Sequence, residues 1–203
     1  MKYIVILFIL LVSCSKKEKI KTEPKFEKTK YDRSYNYKDS LVQKIIPNKD
    51  YDYYAYVTIR GQDHNIISEK GDILEKHKFE TKLKDGSLGF FIGCHPNWCS
   101  DYIITIKNNY LHFIISETEA SIFLGTIDNL EEALLLAKLK GYNLDNDIRG
   151  NSYRVTDKGY EMILMKFSNF PLQKESMEVI VDKNGNIESK SLGIYARGKE
   201  AYE

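Results

Sequence analysis

The residues best suited to chemistry stand in one short run, Gly93-Cys94-His95-Pro96-Asn97-Trp98-Cys99, which holds two of the three cysteines and the single tryptophan. Two thiols, an imidazole and an indole this close together admit three uses. A dithiol redox centre normally needs Cys-x-x-Cys, the spacing that tunes one reactive thiolate; here four residues intervene. A structural zinc site needs four nitrogen or sulfur ligands, so Cys94 and Cys99 would need two more, with His77 and His112 as candidates. The third use is recognition, in which a constrained tip presents His95, Asn97 and Trp98 as an aromatic anchor with polar flanks.

Other catalytic signatures do not assemble. There is no Gly-x-Ser-x-Gly elbow, phosphate loop or His-Glu-x-x-His. The four histidines, His64, His77, His95 and His112, are scattered singly, and His112 alternates with Leu111 and Phe113 as a surface strand position would. Asp145-Asn146-Asp147-Ile148-Arg149-Gly150 begins like a calcium loop, but Arg149 takes its fifth position and Thr156 stands where the bidentate glutamate belongs. Neither a metal nor a cofactor is expected. Tyrosine is abundant, fifteen in all with seven between Tyr31 and Tyr56. Such rows can stack on sugars or peptides, and they also simply favour strands.

The start of the chain carries a different chemistry. Lys2 is a minimal basic region, and Tyr3 to Val12 contains no charged or strongly polar residue. Ten residues of helix reach only about 15 Å, against a hydrocarbon core of about 30 Å. That length suits a signal sequence rather than a span. The residues that follow, Leu11-Val12-Ser13-Cys14, resemble the lipobox of bacterial lipoproteins. The resemblance covers only the first fifteen or so residues. It implies that residues 1–13 are a signal peptide cut before Cys14, that the Cys14 sulfur carries a diacylglycerol, and that the new amine is acylated with a fatty acid such as palmitate. Two or three acyl chains, at about 0.8 kcal/mol per buried methylene, make a stable anchor. Ser15 in place of Asp points to an outer membrane if the cell is Gram-negative.

Export has consequences further along. With Cys14 lipidated, Cys94 and Cys99 are the one remaining pair, and an exported chain most simply joins them in a disulfide. That staple would close the tip bearing His95, Asn97 and Trp98. The formal charge of +1 argues against a nucleic-acid partner, which would call for a basic face.

The elements that position these groups divide the chain in three: residues 1–13 as signal, 14–38 as lipidated cysteine and tether, and 39–203 as one α+β domain. From Lys16 to Lys30 there are seven lysines, three glutamates and few apolar residues, too little to fold alone. From Tyr51 the pattern becomes period two. Ala55, Val57 and Ile59 share a face, and further strands are expected at Ile73–Phe79, Leu88–Gly93, Tyr102–Lys107 and Tyr110–Ser116. Asn108-Asn109 and Asp85-Gly86 mark turns. One long buried helix is expected over about 129–140, capped by Asp128 with Glu131 completing a capping-box-like pair. Its leucines leave little more than the Glu131/Lys138 side polar. Strands resume at Tyr153–Thr156, Tyr160–Phe167, Met177–Asp182 and Ile187–Tyr195. A three-residue loop with Gly185 left-handed would pair Val181 with Ile187 and Glu178 with Lys190.

The expected protein is therefore a membrane-anchored lipoprotein of the bacterial cell envelope. Its domain is mostly antiparallel sheet and acts as a non-enzymatic binding or scaffolding module for a protein or glycan ligand. An envelope hydrolase without a recognisable motif and a membrane-tethered inhibitor or immunity protein stay open as alternatives.

Overall fold

The computed structural model describes residues 25–33, 37–80, 82–83, 89–92 and 99–201. Among them the chain forms α1 (Tyr37–Val42), β1 (Tyr53–Arg60), β2 (Asp63–Gly71), α2 (Ile73–Lys76), β3 (Cys99–Lys107), β4 (Tyr110–Ile114), α3 (Glu117–Leu124), α4 (Leu130–Leu139), β5 (Tyr142–Asn143), β6 (Asn151–Thr156), β7 (Gly159–Asn169), β8 (Leu172–Asp182) and β9 (Ile187–Arg197). Sheet I has the order β2-β1-β3-β4. Sheet II has the order β5-β7-β8-β9, with β6 also on β7. Every described pairing is antiparallel, so the fold is α+β and mostly sheet.

One core joins the two sheets. Tyr54, Tyr56, Ile103 and Ile114 of sheet I and Met162, Leu164, Val179 and Val181 of sheet II meet through the apolar faces of α1, α3 and α4. The opposite face of sheet I is buried as well: Tyr53, Ala55, Val57 and Ile59 lie beside Tyr102, Ile104 and Ile106, under Phe79 and Leu83. Burial on both faces makes β1 a continuous apolar and aromatic run rather than a strict alternation.

The turns follow their residue chemistry. Asn108 and Asn109 take φ of 50° and 63°, the two left-handed positions that a two-residue hairpin requires. At the β8–β9 turn Gly185 has φ 79°, Val181 faces Ile187 and Glu178 faces Lys190, the register expected from a three-residue loop.

Five expectations need correction. Ile73–Phe79 is not a strand: Asp72 accepts from the Leu74 N–H and opens α2, whose Leu, Glu and Lys are good helix formers. Of the strand expected over 88–93, Leu88 and Gly93 lie outside the described residues, and within 89–92 Phe90 makes an isolated bridge to Asp101. The helix is capped by Asn129, not Asp128. Asn129 Oδ1 accepts from Glu132 N (2.9 Å), while the buried Glu132 carboxylate accepts from Asp128 N (2.8 Å) and Ile46 N (2.6 Å). α4 is ten residues and shares the core with two shorter helices, α1 and α3, instead of standing as one long helix. Finally, the tether boundary moves back from residue 38. Glu27 forms a two-bond bridge with Tyr153, Thr29 is buried against Asn151, and Tyr31 Oη donates to Glu131 (2.6 Å), so the domain begins near residue 27.

Candidate functional site

The period of two in β1 and β3 builds the first part of the site. Thr58 pairs with Asp101 and Tyr56 with Ile103, so Tyr56, Thr58 and Asp101 project from one face of sheet I. The Asp101 carboxylate is buried. Its Oδ1 accepts from Thr58 Oγ1 (2.8 Å), and its Oδ2 accepts from Tyr56 Oη (2.6 Å) and from the ammonium of Lys38 on α1. Burial, with Asp101 beside it, pushes the Tyr56 hydroxyl well above its ordinary pKa, so it stays a donor. On the strand's free edge Phe90 exchanges both backbone hydrogen bonds with Asp101 (2.7 and 2.8 Å). Gly89 has to be a glycine there, because a Cβ would stand 1.8 Å from the Asp101 carbonyl oxygen.

Beside this cluster lies a cleft of about 550 Å³, bounded by α1, the ends of β1 and β3, Phe91, the last turn of α4, and β5 and β7. Its apolar walls include Tyr37, Phe91, Leu139, Met165 and Phe167, and its charged groups are Arg33, Lys38, Asp39, Arg60, Glu117 and Lys138. Size, apolar lining and a few polar groups together are the usual form of a small-molecule site. Burial pushes the Asp39 carboxyl above its usual range, offset in part by Lys38.

Lys138 is the unusual cation. It projects from the last turn of α4, where the helix dipole favours positive charge. Its Nζ donates to Asn143 Oδ1 (2.8 Å) and lies 5.0 Å from the Tyr37 ring centroid and 5.5 Å from that of Phe91. Lys38 approaches the same Phe91 ring at 6.0 Å. Burial, reinforced by the Lys38 charge and opposed by Asp101, brings the Lys138 amine down to about 8. Phe91 itself has φ 54°, a conformation rarely adopted by a bulky side chain and often concentrated at functional sites.

A second polar cluster joins Asp145, Lys174 and Tyr195 beside a cleft of about 430 Å³ at the same end of sheet II, where Lys174 of β8 pairs with Phe167 of β7.

Of the residues expected from the sequence, Cys14, Cys94, His95, Asn97 and Trp98 lie outside the described residues. Cys99 opens β3, and it and Ile92 line the large cleft. His112 pairs with Glu119 at 3.5 Å in an exposed position, and neither it nor His77 lines the cleft. Among the described residues no group of three or more His, Cys, Asp or Glu side chains is placed to share a metal ion. No described helix is long and apolar enough to cross a membrane. Comparison of the chain with protein-family models, with curated proteins and with solved structures gave no match.

Proposed function

We propose that this chain is a lipid-anchored protein of the bacterial envelope whose α+β domain is a binding module, with its ligand held in the cleft beside Lys38 and Lys138. The cleft carries the reading: its volume suits a small molecule, and its aromatic walls and cations come from elements that the core already fixes. The anchor rests on Leu11-Val12-Ser13-Cys14. In this reading residues 15–26 are the spacer, since the chain joins the domain at Glu27. Asp101 already accepts from three donors, which suits a fixed support behind the cleft better than a base.

Each half has its own test. Cells fed radioactive palmitate should label the wild-type protein, whereas Cys14→Ser should stay unlabelled and keep its leader; equal labelling of the two rejects the anchor. For the cleft, the mature protein in detergent should show fragment-induced shifts of the Met165 and Leu139 methyl resonances. A diverse small-molecule library that moves neither rejects the binding site.

The same reading includes a Cys94–Cys99 disulfide. Peptide mass analysis without reductant should find these two cysteines linked and lighter by two hydrogens than the reduced pair. Two free thiols in protein purified from the envelope overturn that staple.

A further inference from the structure

We propose that the cleft selects an organic anion, a carboxylate on an apolar or aromatic body, and that the carboxylate docks at the Lys138 ammonium. This rests on the cleft being the binding site and adds the chemistry of what it binds.

The charge pattern leads to it. Four cations, Arg33, Lys38, Arg60 and Lys138, border the cleft. Among the described residues the carboxylates of Asp39 and Glu117 also lie on the walls, and Asp101 stands behind Lys38. The two lysines differ in their partners. Lys38 is paired with Asp101, whereas among the described residues Lys138 has an amide oxygen and two aromatic faces but no carboxylate within ion-pairing distance. A largely desolvated ammonium without a counter-ion is unfavourable unless something else supplies the charge. The surrounding rings favour the rest of such a ligand: Tyr37, Phe91 and Phe167 offer flat apolar faces, with Arg33 lying 5.9 Å from the Phe167 ring.

The charged and titratable groups facing Lys138 are Tyr37 and Lys38 from α1 and Asp101 from β3; Asn143 from β5 is neutral. Burial keeps the Tyr37 hydroxyl protonated far above neutral pH. The amine of the free protein therefore titrates near pH 8, and a bound carboxylate raises its pKa. The sign follows: anion affinity is full below that pH, then declines as pH rises and docking must be accompanied by proton uptake.

The test compares benzoate with benzamide, which differ mainly in charge, on the mature lipoprotein in detergent, read from the Met165 and Leu139 methyl resonances. At about pH 7 benzoate should bind roughly tenfold more tightly than benzamide, equal to about one pKa unit of linkage. Between about pH 7 and 9.5 benzoate should weaken several-fold while benzamide holds constant. Lys138→Gln should bring the two affinities together. Lys138→Arg, which stays charged, should keep the benzoate preference at the higher pH. Equal affinity for the two in the wild type overturns the anion assignment but leaves the cleft as a binding site. A benzoate preference that survives in Lys138→Gln overturns the assignment to that residue. If neither probe shifts either methyl group, the carboxylate class falls, and only a blank library screen as well removes the cleft itself.

Discussion

Replacing Asp101 by Ala lowers the stability of the domain by about 3–5 kcal/mol, the usual result of removing one partner of a buried ion pair. The side chain is 2% exposed and its partner Lys38 16%. The substitution takes the acceptor from three donors: the ammonium of Lys38, Tyr56 Oη and Thr58 Oγ1. Tyr56 is fully buried and finds no water to replace the carboxylate, so its loss is the least recoverable. In a domain of this size the change is worth a fall in Tm of about 6–20 °C, checked by thermal and urea unfolding. Lys38→Met should cost less, because Asp101 keeps the Tyr56 and Thr58 hydroxyls. The double variant Lys38→Met/Asp101→Leu should recover part of the deficit, because it leaves no uncompensated charge. A loss below about 1 kcal/mol for Asp101→Ala would place this cluster among surface ion pairs and remove it as the fixed support beside the cleft.

Local chemistry predicted the elements well where it alone decides them. Sheet II and the β3–β4 hairpin follow from period two and from turn residues that accept positive φ, and the Val181–Ile187 register follows from Gly185. Other elements were hidden for identifiable reasons. β2 is mostly exposed, and its run of Asp63, Asn65, Glu69 and Lys70 leaves no apolar stripe to announce it. α3 did have a signal: Ser116 and Glu119 form a capping box, with Ser116 Oγ accepting from Glu119 N (3.2 Å) and donating to its carboxylate (2.9 Å). At α4 two adjacent caps, Asp128 and Asn129, offered equal local spacing to a glutamate. Tertiary structure decided between them, because the Ile46 N–H needs the Glu132 carboxylate.

The cleft was largely illegible, since its groups are far apart in the chain. Asp101 meets Tyr56 across 45 positions and Lys38 across 63. In the sequence it looks like a polar residue ahead of a strand that starts at Tyr102. Lys138 did stand out, but only as the polar side of an apolar helix, a side normally turned to bulk water. In the fold that side faces the cleft, and Tyr37 and Phe91 exclude most of the solvent. One-dimensional amphipathicity identifies the polar face without revealing whether water or a cavity lies opposite.

Lys174→Met tests the second buried cluster, and its effect should depend on pH. Asp145 and Lys174 are 1% and 4% exposed. Asp145 Oδ1 accepts from Lys174 Nζ (3.1 Å) and Asn146 N (2.8 Å), and Oδ2 accepts from Tyr195 Oη (2.6 Å), so one carboxylate ties β8 and β9 to the turn ahead of β6. Burial acts to raise the Asp145 pKa, but the bonds from Tyr195, Asn146 and Lys174 outweigh it and leave the group below its ordinary value. The wild type therefore gains stability from Asp145 above the ordinary carboxylate range and loses that gain as pH falls through the lowered folded pKa. Without Lys174 two of the contributions that hold the pKa down are lost, so the folded pKa of Asp145 rises and its ionisation stabilises the variant less than the wild type. The expected deficit is about 3–5 kcal/mol near pH 7, shrinking in urea unfolding at about pH 4 as the variant's carboxyl becomes protonated. Asp145→Leu/Lys174→Met should be close to independent of pH over that range. A Lys174→Met deficit of equal size at both pH values would mean that packing of the lysine stem, and not its charge, holds these strands together.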